Sequence, residues 1–233
     1  IPRTGVLVQS APLDTVGTFA RSIEDIALLT EIVVAYDPRD RHTRPRARPT
    51  LVKTADQKPP LTPVIAFCKT AFWDQAESEM QEAFAELVEI LGDDCHDVPL
   101  TEPFDQTIEM HSNIMCADLA KNLAGYYGRG KDKMTDTLCK LIEFGKNVSA
   151  VDYNKAVEGR DFLNSSLNSV FDHYDAIITP AATGEAPFGI DSTGSPVFNT
   201  LATYCGIPSI TLPLMEGPKG LPLGDPGYRT ALR

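Results

Sequence analysis

Short apolar segments alternate with helical patterns along this chain, and this alternation constrains the fold more than any other feature. The candidate strands cover 64–67, 175–180 and 207–213. Each is too short for a regular helix, and proline lies at or beside at least one end of each. Strands that are apolar throughout are typical of a sheet covered by helices on both faces. The sequence therefore predicts an α/β layered fold.

Helical periodicity predicts the elements between the strands. Ser22 followed by Glu24 and Asp25 is typical of a helix start, and Met80 and Phe84 recur at the spacing of one helix face. The predicted helices cover 22–36, 74–91, 104–124, 132–145, 151–172 and, as a short helix, 195–205.

Composition limits the classes of function. The chain has 233 residues, 42% hydrophobic and 23% charged, which suits a globular protein of one large or two small domains. A net charge of -11 repels phosphate backbones, so we expect no nucleic-acid partner. No apolar run approaches the ~20 residues of a membrane helix, so we expect no membrane partner.

The five cysteines are widely spaced, odd in number and without a C-x-x-C pair. They therefore predict neither a disulfide framework nor a zinc site. A reducing, cytoplasmic setting fits this usage. Cys95 lies beside His96, but adjacent side chains rarely face each other, so we do not interpret them as a catalytic pair.

One basic segment interrupts the acidic chain. Residues 37–62 are predicted to form an Arg- and Pro-rich loop, with five arginines between Pro38 and Pro49. We interpret it as a solvated surface loop rather than an arm that binds polyanions.

A phosphate-binding loop is suggested by one motif and excluded by its context. Gly125–Lys131 matches G-x-x-x-x-G-K, but Asp132 stands where a Ser or Thr hydroxyl would hold magnesium. The segment also follows a predicted helix instead of a strand, so we interpret it as a glycine-rich linker between helices. The four histidines share no ligand spacing. The residues alone thus indicate no catalytic residue and no metal site.

Two stretches resemble the amidase signature family. Leu13–Leu29 contains Asp14-Thr15, Gly17 and Ala20-Arg21-Ser22, which is similar to the family pattern D-T-x-G-x-x-A-R-S-x-x-D. The second stretch, 174–224, resembles Y-D-x-x-x-T-P followed by G-x-P-x-x-x-x-P and G-L-P-x-G. Their order and spacing agree with the family. The resemblance implies a mixed sheet flanked by helices, as the later, C-terminal part of a single amidase-signature domain over residues 1–233.

The resemblance also implies a reaction. In this family a lysine and a cis-peptide serine activate a second serine, which attacks the amide carbonyl to form an acyl-enzyme. No cofactor is implied. These groups lie upstream of the motif at Asp14 in the family, and no Gly-Gly-Ser-Ser stretch occurs here. We therefore assign no catalytic residue, and we expect residues 1–233 alone to be inactive.

Substrate-binding residues are implied by the same resemblance. Phe198, Asn199 and Thr203 precede the segment Cys205–Pro208, a region that commonly faces the substrate in this family. An apolar helix face with its caps explains these residues equally well. The expected ligand is a small-molecule amide, and a homodimer is the default oligomer.

Both ends of the chain differ from the family pattern. Ile1–Gly5 is typical of the middle of a protein, and after Gly224 the family's apolar strand with glutamine is replaced by Asp225-Pro226-Gly227. We expect the residues given to be a subset of a longer protein. Three functions stay open: an amidase, an amidotransferase subunit of the same family that passes ammonia to a partner, and a non-catalytic binding remnant.

Overall fold

A computed structural model describes residues 1–100 and 102–228, of which 225–228 are described by their backbone alone. It contains two compact units, Ile1–Leu61 and Thr62–Arg233. The expectation of one domain over residues 1–233 stays a prediction, because compact units of this kind can belong to one domain.

The first unit is built around two helices, α1 (Ile23–Val33) and α2 (Leu51–Ala55). Helix α1 begins where predicted, since the Ser22 hydroxyl accepts a hydrogen bond from the Asp25 N–H at 3.1 Å. Helix α2 corrects the prediction of an uninterrupted loop over 37–62. Its five residues form little more than one turn, too short to give a periodic signal.

Asp14 organises the loop before α1. Its carboxylate accepts hydrogen bonds from the backbone N–H groups of Gln9 and Ser10, both at 3.0 Å. The Arg3 guanidinium donates to the carbonyls of Ala11 at 2.6 Å and Asp14 at 2.8 Å. The family motif at Asp14 thus fixes a loop through backbone contacts.

The second unit contains a five-stranded mixed sheet, which confirms the predicted fold class. The strands are β1 (Ile65–Phe67), β2 (Cys95–Asp97), β3 (Ala176–Ile178), β4 (Ser209–Glu216) and β5 (Pro222–Tyr228). Their spatial order is β2-β1-β3-β5-β4. Strands β2, β1 and β3 are parallel, whereas β5 pairs antiparallel with both β3 and β4.

Two strands were not predicted. Strand β2 reads Cys95-His96-Asp97, with only its first residue buried, so it lacks the apolar signal of β1 and β3. Strand β5 occupies the position between β3 and β4. Strand β5 spans Gly224, so the backbone forms a strand at the point where the sequence departs from the family pattern.

Within residues 62–100 and 102–228, six α-helices belong to the second unit. They are α3 (Ser78–Leu91), α4 (Thr107–Asn122), α5 (Ala124–Gly130), α6 (Asp136–Lys146), α7 (Ala150–Phe171) and α8 (Thr200–Cys205). Helix α3 starts four residues later than predicted, because Trp73–Gln75 forms a 3-10 turn and Ala76 and Glu77 are extended. Helix α5 corrects the predicted linker: its three glycines lower helix propensity, yet the segment is helical.

Helices cover the sheet. On one face Phe67, Ile178 and Leu223 pack with Met80 and Phe84 of α3. The next residues along β1 and β3 point to the opposite face, and there Ala66 and Ile177 are 0% exposed. Both faces are therefore buried at β1 and β3, as their apolar sequences predicted, whereas most residues of β4 are exposed. None of the helices in the described part of the chain is long and apolar enough to cross a membrane.

Candidate functional site at the carboxyl edge of the sheet

The three parallel strands end at one edge of the sheet, and the residues that follow them form the candidate site. Strands β1, β2 and β3 end at Phe67, Asp97 and Ile178. In open α/β sheets, ligands bind in the crevice beyond the carboxyl ends of the strands. At this edge Lys69 forms an ion pair with Asp97, with Nζ and Oδ2 2.9 Å apart, which ties the loop after β1 to the end of β2.

A small apolar cavity lies beyond these strand ends. Its lining comes from the loops after β1 and β2, from the start of α4 and from the segment around the start of α8. The lining residues are Thr70, Phe72, Leu100, Phe104, Thr107, Val197, Phe198 and Leu201. The Thr107 hydroxyl donates to the Phe104 carbonyl at 2.6 Å, so it is already satisfied. The cavity volume is about 10 Å³, the size of about one water molecule. The cavity would have to widen to hold anything larger than a methyl-sized group.

Phe198 and Asn199 lie on one 3-10 turn, Val197–Asn199, but they have different surroundings. Phe198 is 0% exposed, lines the cavity and belongs to the cluster of Met80 and Phe84. Asn199 is half-buried, and its Nδ2 donates to the Ala181 carbonyl at 2.7 Å. The turn thus presents an apolar ring to the cavity and an amide to the loop after β3.

Thr203 lies one helical turn further, on α8, and is half-buried. The structure therefore places the three predicted substrate-binding residues on one short segment, with Phe198 against the cavity. Contact of Phe198, Asn199 or Thr203 with a substrate stays a prediction.

The loop after β3 is held at several points. Its Ala181 N–H donates to the Gly224 carbonyl at 2.9 Å, and its Thr183 carbonyl accepts from the Glu77 N–H at 2.7 Å. Together with the Asn199 bond, these contacts fix the loop to β5, to the start of α3 and to the 3-10 turn. The wall of the candidate site is therefore built on anchored backbone.

Glu185 is the residue of this region that the sequence analysis missed. Its side chain is 1% exposed, and Oε1 accepts from the backbone N–H groups of Lys219 at 2.9 Å and Leu221 at 3.2 Å. Lys219 Nζ lies 3.7 Å from Oε2. A Cβ at Gly217 would lie 2.4 Å from Oε1, so a larger residue there would displace the Glu185 carboxylate. In the sequence, the only sign of this role was that Glu185 is a single acidic residue within a Gly- and Pro-rich loop.

Carboxylates cluster near this contact. Hydrogen bonding with Glu79 raises the pKa of Glu77, and burial and the negative charges of Glu79 and Glu185 act in the same direction, while Lys219 opposes them. Lys219 thus balances acidic side chains from two loops.

No group of His, Cys, Asp and Glu side chains in 1–100 and 102–228 is arranged to hold a metal ion.

The thiols near the sheet are poor nucleophiles. Burial, with the Asp97 charge, raises the pKa of Cys68 to about 12, and burial raises the pKa of Cys205 to about 12. Because the thiolate is the reactive form, neither suits nucleophilic catalysis. The His96 ring makes an edge contact with the Tyr174 ring, with centroids 5.7 Å apart.

The glycine-rich motif at Gly125–Lys131 does not form a phosphate loop. It forms α5, directly after α4, so no strand aims backbone N–H groups at a ligand. An open surface depression of about 540 Å³ lies beside it, lined by residues that include Arg129, Lys131 and Asp136. Its charges are mixed in sign, which gives no preference for an anion.

Comparison with known proteins identifies the class to which this fold and site belong. The family model described as Amidase matches residues 1–224, and the chain therefore belongs to the amidase family. This confirms the family that the two motif stretches predicted.

Particular relatives agree with this assignment. A glutamyl-tRNA(Gln) amidotransferase subunit of Clostridium botulinum (strain Eklund 17B / Type B) is 27% identical over 266 residues, which cover 96% of this chain and 53% of that protein. The chain thus spans about half the length of the relatives it matches.

Solved structures share the fold. The structure described as an unexpected vestigial protein complex that reveals the evolutionary origins of an s-triazine catabolic enzyme matches with a TM-score of 0.84 and 17% identity, over 97% of this chain and 52% of that one. A glutamyl-tRNA(Gln) amidotransferase subunit from Thermotoga maritima matches with a TM-score of 0.73 and 23% identity, over 99% and 52%. At these identities the likeness shows the fold alone.

Proposed function

We propose that this chain is part of an amidase that hydrolyses a carboxylic amide to a carboxylic acid and ammonia or an amine. The observation that carries the proposal is the match of the Amidase family model to residues 1–224. The position of the candidate site supports it, because ligands of open α/β sheets bind in the crevice beyond the carboxyl ends of the strands.

The reaction proceeds through a serine acyl-enzyme, with the lysine and both serines supplied by sequence upstream of Ile1. A base-activated hydroxyl can attack the amide carbonyl without a cofactor. Residues 1–233 contribute the substrate pocket wall, in which Phe198, Asn199 and Thr203 face a small-molecule amide. Residues 1–233 alone are therefore inactive.

The test is ammonia release by the full-length protein from a panel of aliphatic and aromatic primary amides. Release of ammonia and acid in equal amounts supports the proposal. The absence of ammonia from every amide counts against it and favours the non-catalytic remnant. Residues 1–233 expressed alone serve as the inactive comparison.

A second function is that of an amidotransferase component. It is favoured by relatives with 24% to 27% sequence identity that are subunits of glutamyl-tRNA(Gln) amidotransferase. Affinity purification of the full-length protein from its source cell would recover any companion proteins. Ammonia release that occurs only in their presence would favour this function. Full activity of the purified protein by itself, as a monomer or homodimer, would favour the amidase.

A further inference from the structure

The two units differ in the sign of their net charge, and the positive charge is concentrated in one segment. Residues 1–61 contain nine basic and seven acidic side chains, whereas residues 62–233 contain 12 and 25. Within the first unit, the segment 37–53 has six basic side chains against two aspartates, a net charge of +4. In a chain with a net charge of -11, such a local excess of positive charge attracts anions to this segment.

Five exposed arginines supply most of this charge, and we call residues 39–48 the arginine strap. The arginines are Arg39, Arg41, Arg44, Arg46 and Arg48. Arg39 forms an ion pair with Asp37, with Nη2 and Oδ2 2.9 Å apart. Within residues 1–61, the side chains of Arg41, Arg44 and Arg48 form no ion pair or hydrogen bond. Three guanidinium groups, each with five N–H donors, are therefore available to a ligand.

The first half of the strap is held by the rest of its unit. The Asp40 carboxylate is 8% exposed and accepts a hydrogen bond from the Arg3 N–H at 2.8 Å. The Thr43 hydroxyl donates to the Asp37 carbonyl at 2.8 Å. These contacts fix the backbone immediately before Arg44.

The end of the strap leads into α2, which is also held. The Thr54 hydroxyl donates to the Thr50 carbonyl at 2.9 Å, and the Val52 N–H donates to the Glu31 carboxylate of α1 at 3.0 Å. The strap is therefore a connection between two anchored points.

Between these points the backbone is extended. Residues 43–50 lie outside any helix or strand, and Pro45 and Pro49 disfavour a helical conformation of the preceding residues, Arg44 and Arg48. An extended chain rises about 3.1–3.6 Å per residue, so the Cα atoms of Arg44 and Arg48 lie about 12–14 Å apart. Because its ends are anchored and its prolines are stiff, the strap loses little conformational freedom when it binds.

The chemistry of the strap suits carboxylates. A guanidinium group can donate two parallel hydrogen bonds to one carboxylate, and clusters of arginines recur in the recognition of acidic motifs. We propose that the arginine strap is a docking surface for a short, carboxylate-rich segment of a partner protein. This inference is independent of the amidase proposal.

The charge of the whole chain favours a short acidic segment over a nucleic acid. A nucleic acid extends well beyond the about 12–14 Å between Arg44 and Arg48, and its phosphates meet the excess negative charge of the rest of the chain. A short acidic segment can be confined to the strap, where the local charge is positive.

The test measures binding of a short fluorescein-labelled peptide of alternating glutamate and serine residues to the full-length protein, by fluorescence anisotropy. The wild-type protein should bind it at about 50 mM salt, and about 0.5 M salt should weaken binding at least about tenfold because it screens exposed charges. The combined substitutions Arg41→Ala, Arg44→Ala and Arg48→Ala should weaken binding at low salt by at least about tenfold. The same peptide with glutamine in place of glutamate should not bind.

Two matched variants separate the strap from the net charge of the protein. Lys133→Ala, Lys140→Ala and Lys155→Ala together remove three positive charges from exposed positions of the second unit, and they should change the dissociation constant less than about twofold. The strap variant with three lysines keeps the charge without the paired donors, so its affinity should lie between those of the wild type and the alanine variant. The strap variants should unfold at the urea concentration of the wild type, because the replaced side chains have no partner within residues 1–61.

Several outcomes would overturn the inference. One is failure of the wild-type protein to bind the acidic peptide, and another is an equal loss of affinity in the alanine variants of the strap and of the three lysines. Tighter binding of a single-stranded oligonucleotide of equal charge would overturn it in favour of a nucleic-acid surface. Ammonia release is measured separately, so none of these results bears on the amidase proposal.

Discussion

The buried carboxylate of Glu185 accepts a hydrogen bond from the backbone N–H of Lys219 at 2.9 Å, across 34 residues of sequence. The same oxygen accepts from Leu221 at 3.2 Å, so a single side chain closes the turn between β4 and β5 onto the loop after β3. This contact lies within the stretch that carries the family motifs.

Removal of the Glu185 carboxylate should destabilise the protein. Glu185→Ala leaves two backbone N–H groups without their acceptor, and hydrogen bonds to charged groups contribute about 1.5–3 kcal/mol. We expect a loss of about 2–3 kcal/mol in the free energy of unfolding, measured with urea. Glu86→Ala, on the exposed face of α3, should change stability by less than about 0.5 kcal/mol. Equal effects of the two variants would contradict the anchoring role.

Gly145 should tolerate no larger residue. A Cβ at this position of α6 would lie 1.8 Å from the Cys116 carbonyl oxygen of α4, and backbone cannot yield as a side chain can. Gly145→Ala should therefore cost more than about 3 kcal/mol of the free energy of unfolding, since α4 and α6 must separate.

Gly128→Ala is the control for that substitution. Gly128 lies in α5, and no described atom lies within 4 Å of a Cβ built there. Alanine is the better helix former, so this variant should gain about 0.5–1 kcal/mol. Both variants can be compared by urea unfolding. Similar effects at the two positions would contradict the close contact of α4 with α6.

Acid should weaken a surface network around Glu143. The Tyr127 hydroxyl donates to the Glu143 carboxylate, Lys131 Nζ lies 3.1 Å from it, and these contacts lower the pKa of Glu143 to about 2 from its ordinary value of 4.5. A lowered folded-state pKa stabilises the protein above the ordinary value, and this stabilisation is lost as the pH falls toward the folded-state value.

The corresponding experiment measures unfolding of wild type and Glu143→Gln at several pH values. The stability difference should shrink as the pH falls from about 5 to about 3, and high salt should reduce it because the pair is exposed. Glu158→Gln, on the exposed face of α7, should show neither trend. A difference that stays constant with pH would contradict the role of the ionised carboxylate.

Cys139 should be the fastest of the five cysteines to react with a thiol reagent. Cys139 is half-exposed, whereas Cys68, Cys95, Cys116 and Cys205 are buried. Reactivity follows exposure and thiolate character, so brief labelling of the native protein should modify Cys139, as mapped by peptide mass spectrometry. Cys139→Ser should abolish the fast phase. Rapid labelling at Cys68 or Cys205 would contradict their burial.

Elements with a strong local signal could be predicted from the sequence. Strands β1 and β3 are apolar runs ended by charge or proline, and the cap at Ser22 located the start of α1. Strand β2 has one buried residue in three, and β5 contains glycine and proline, so neither has a periodic pattern. Their strand conformation depends on pairing with distant neighbours, which local propensity does not encode.

The candidate site was predictable only in part. The motif resemblance located the segment of Phe198 and Asn199, because family motifs mark positions along the chain. The contacts of Asn199 with Ala181 and of Glu185 with Lys219 join residues 18 and 34 apart. Such pairings depend on how β3, β5 and the 3-10 turn meet, and no spacing rule relates them.

The serine acyl-enzyme is tested most directly by the intact mass of the full-length protein, quenched in acid during turnover of an aromatic amide. We expect a protein population that is heavier by the mass of the acyl group and that disappears when the amide is exhausted and ammonia release stops. Ammonia release with unmodified protein at every time point would contradict the serine acyl-enzyme. The absence of both the adduct and ammonia would contradict the amidase function itself.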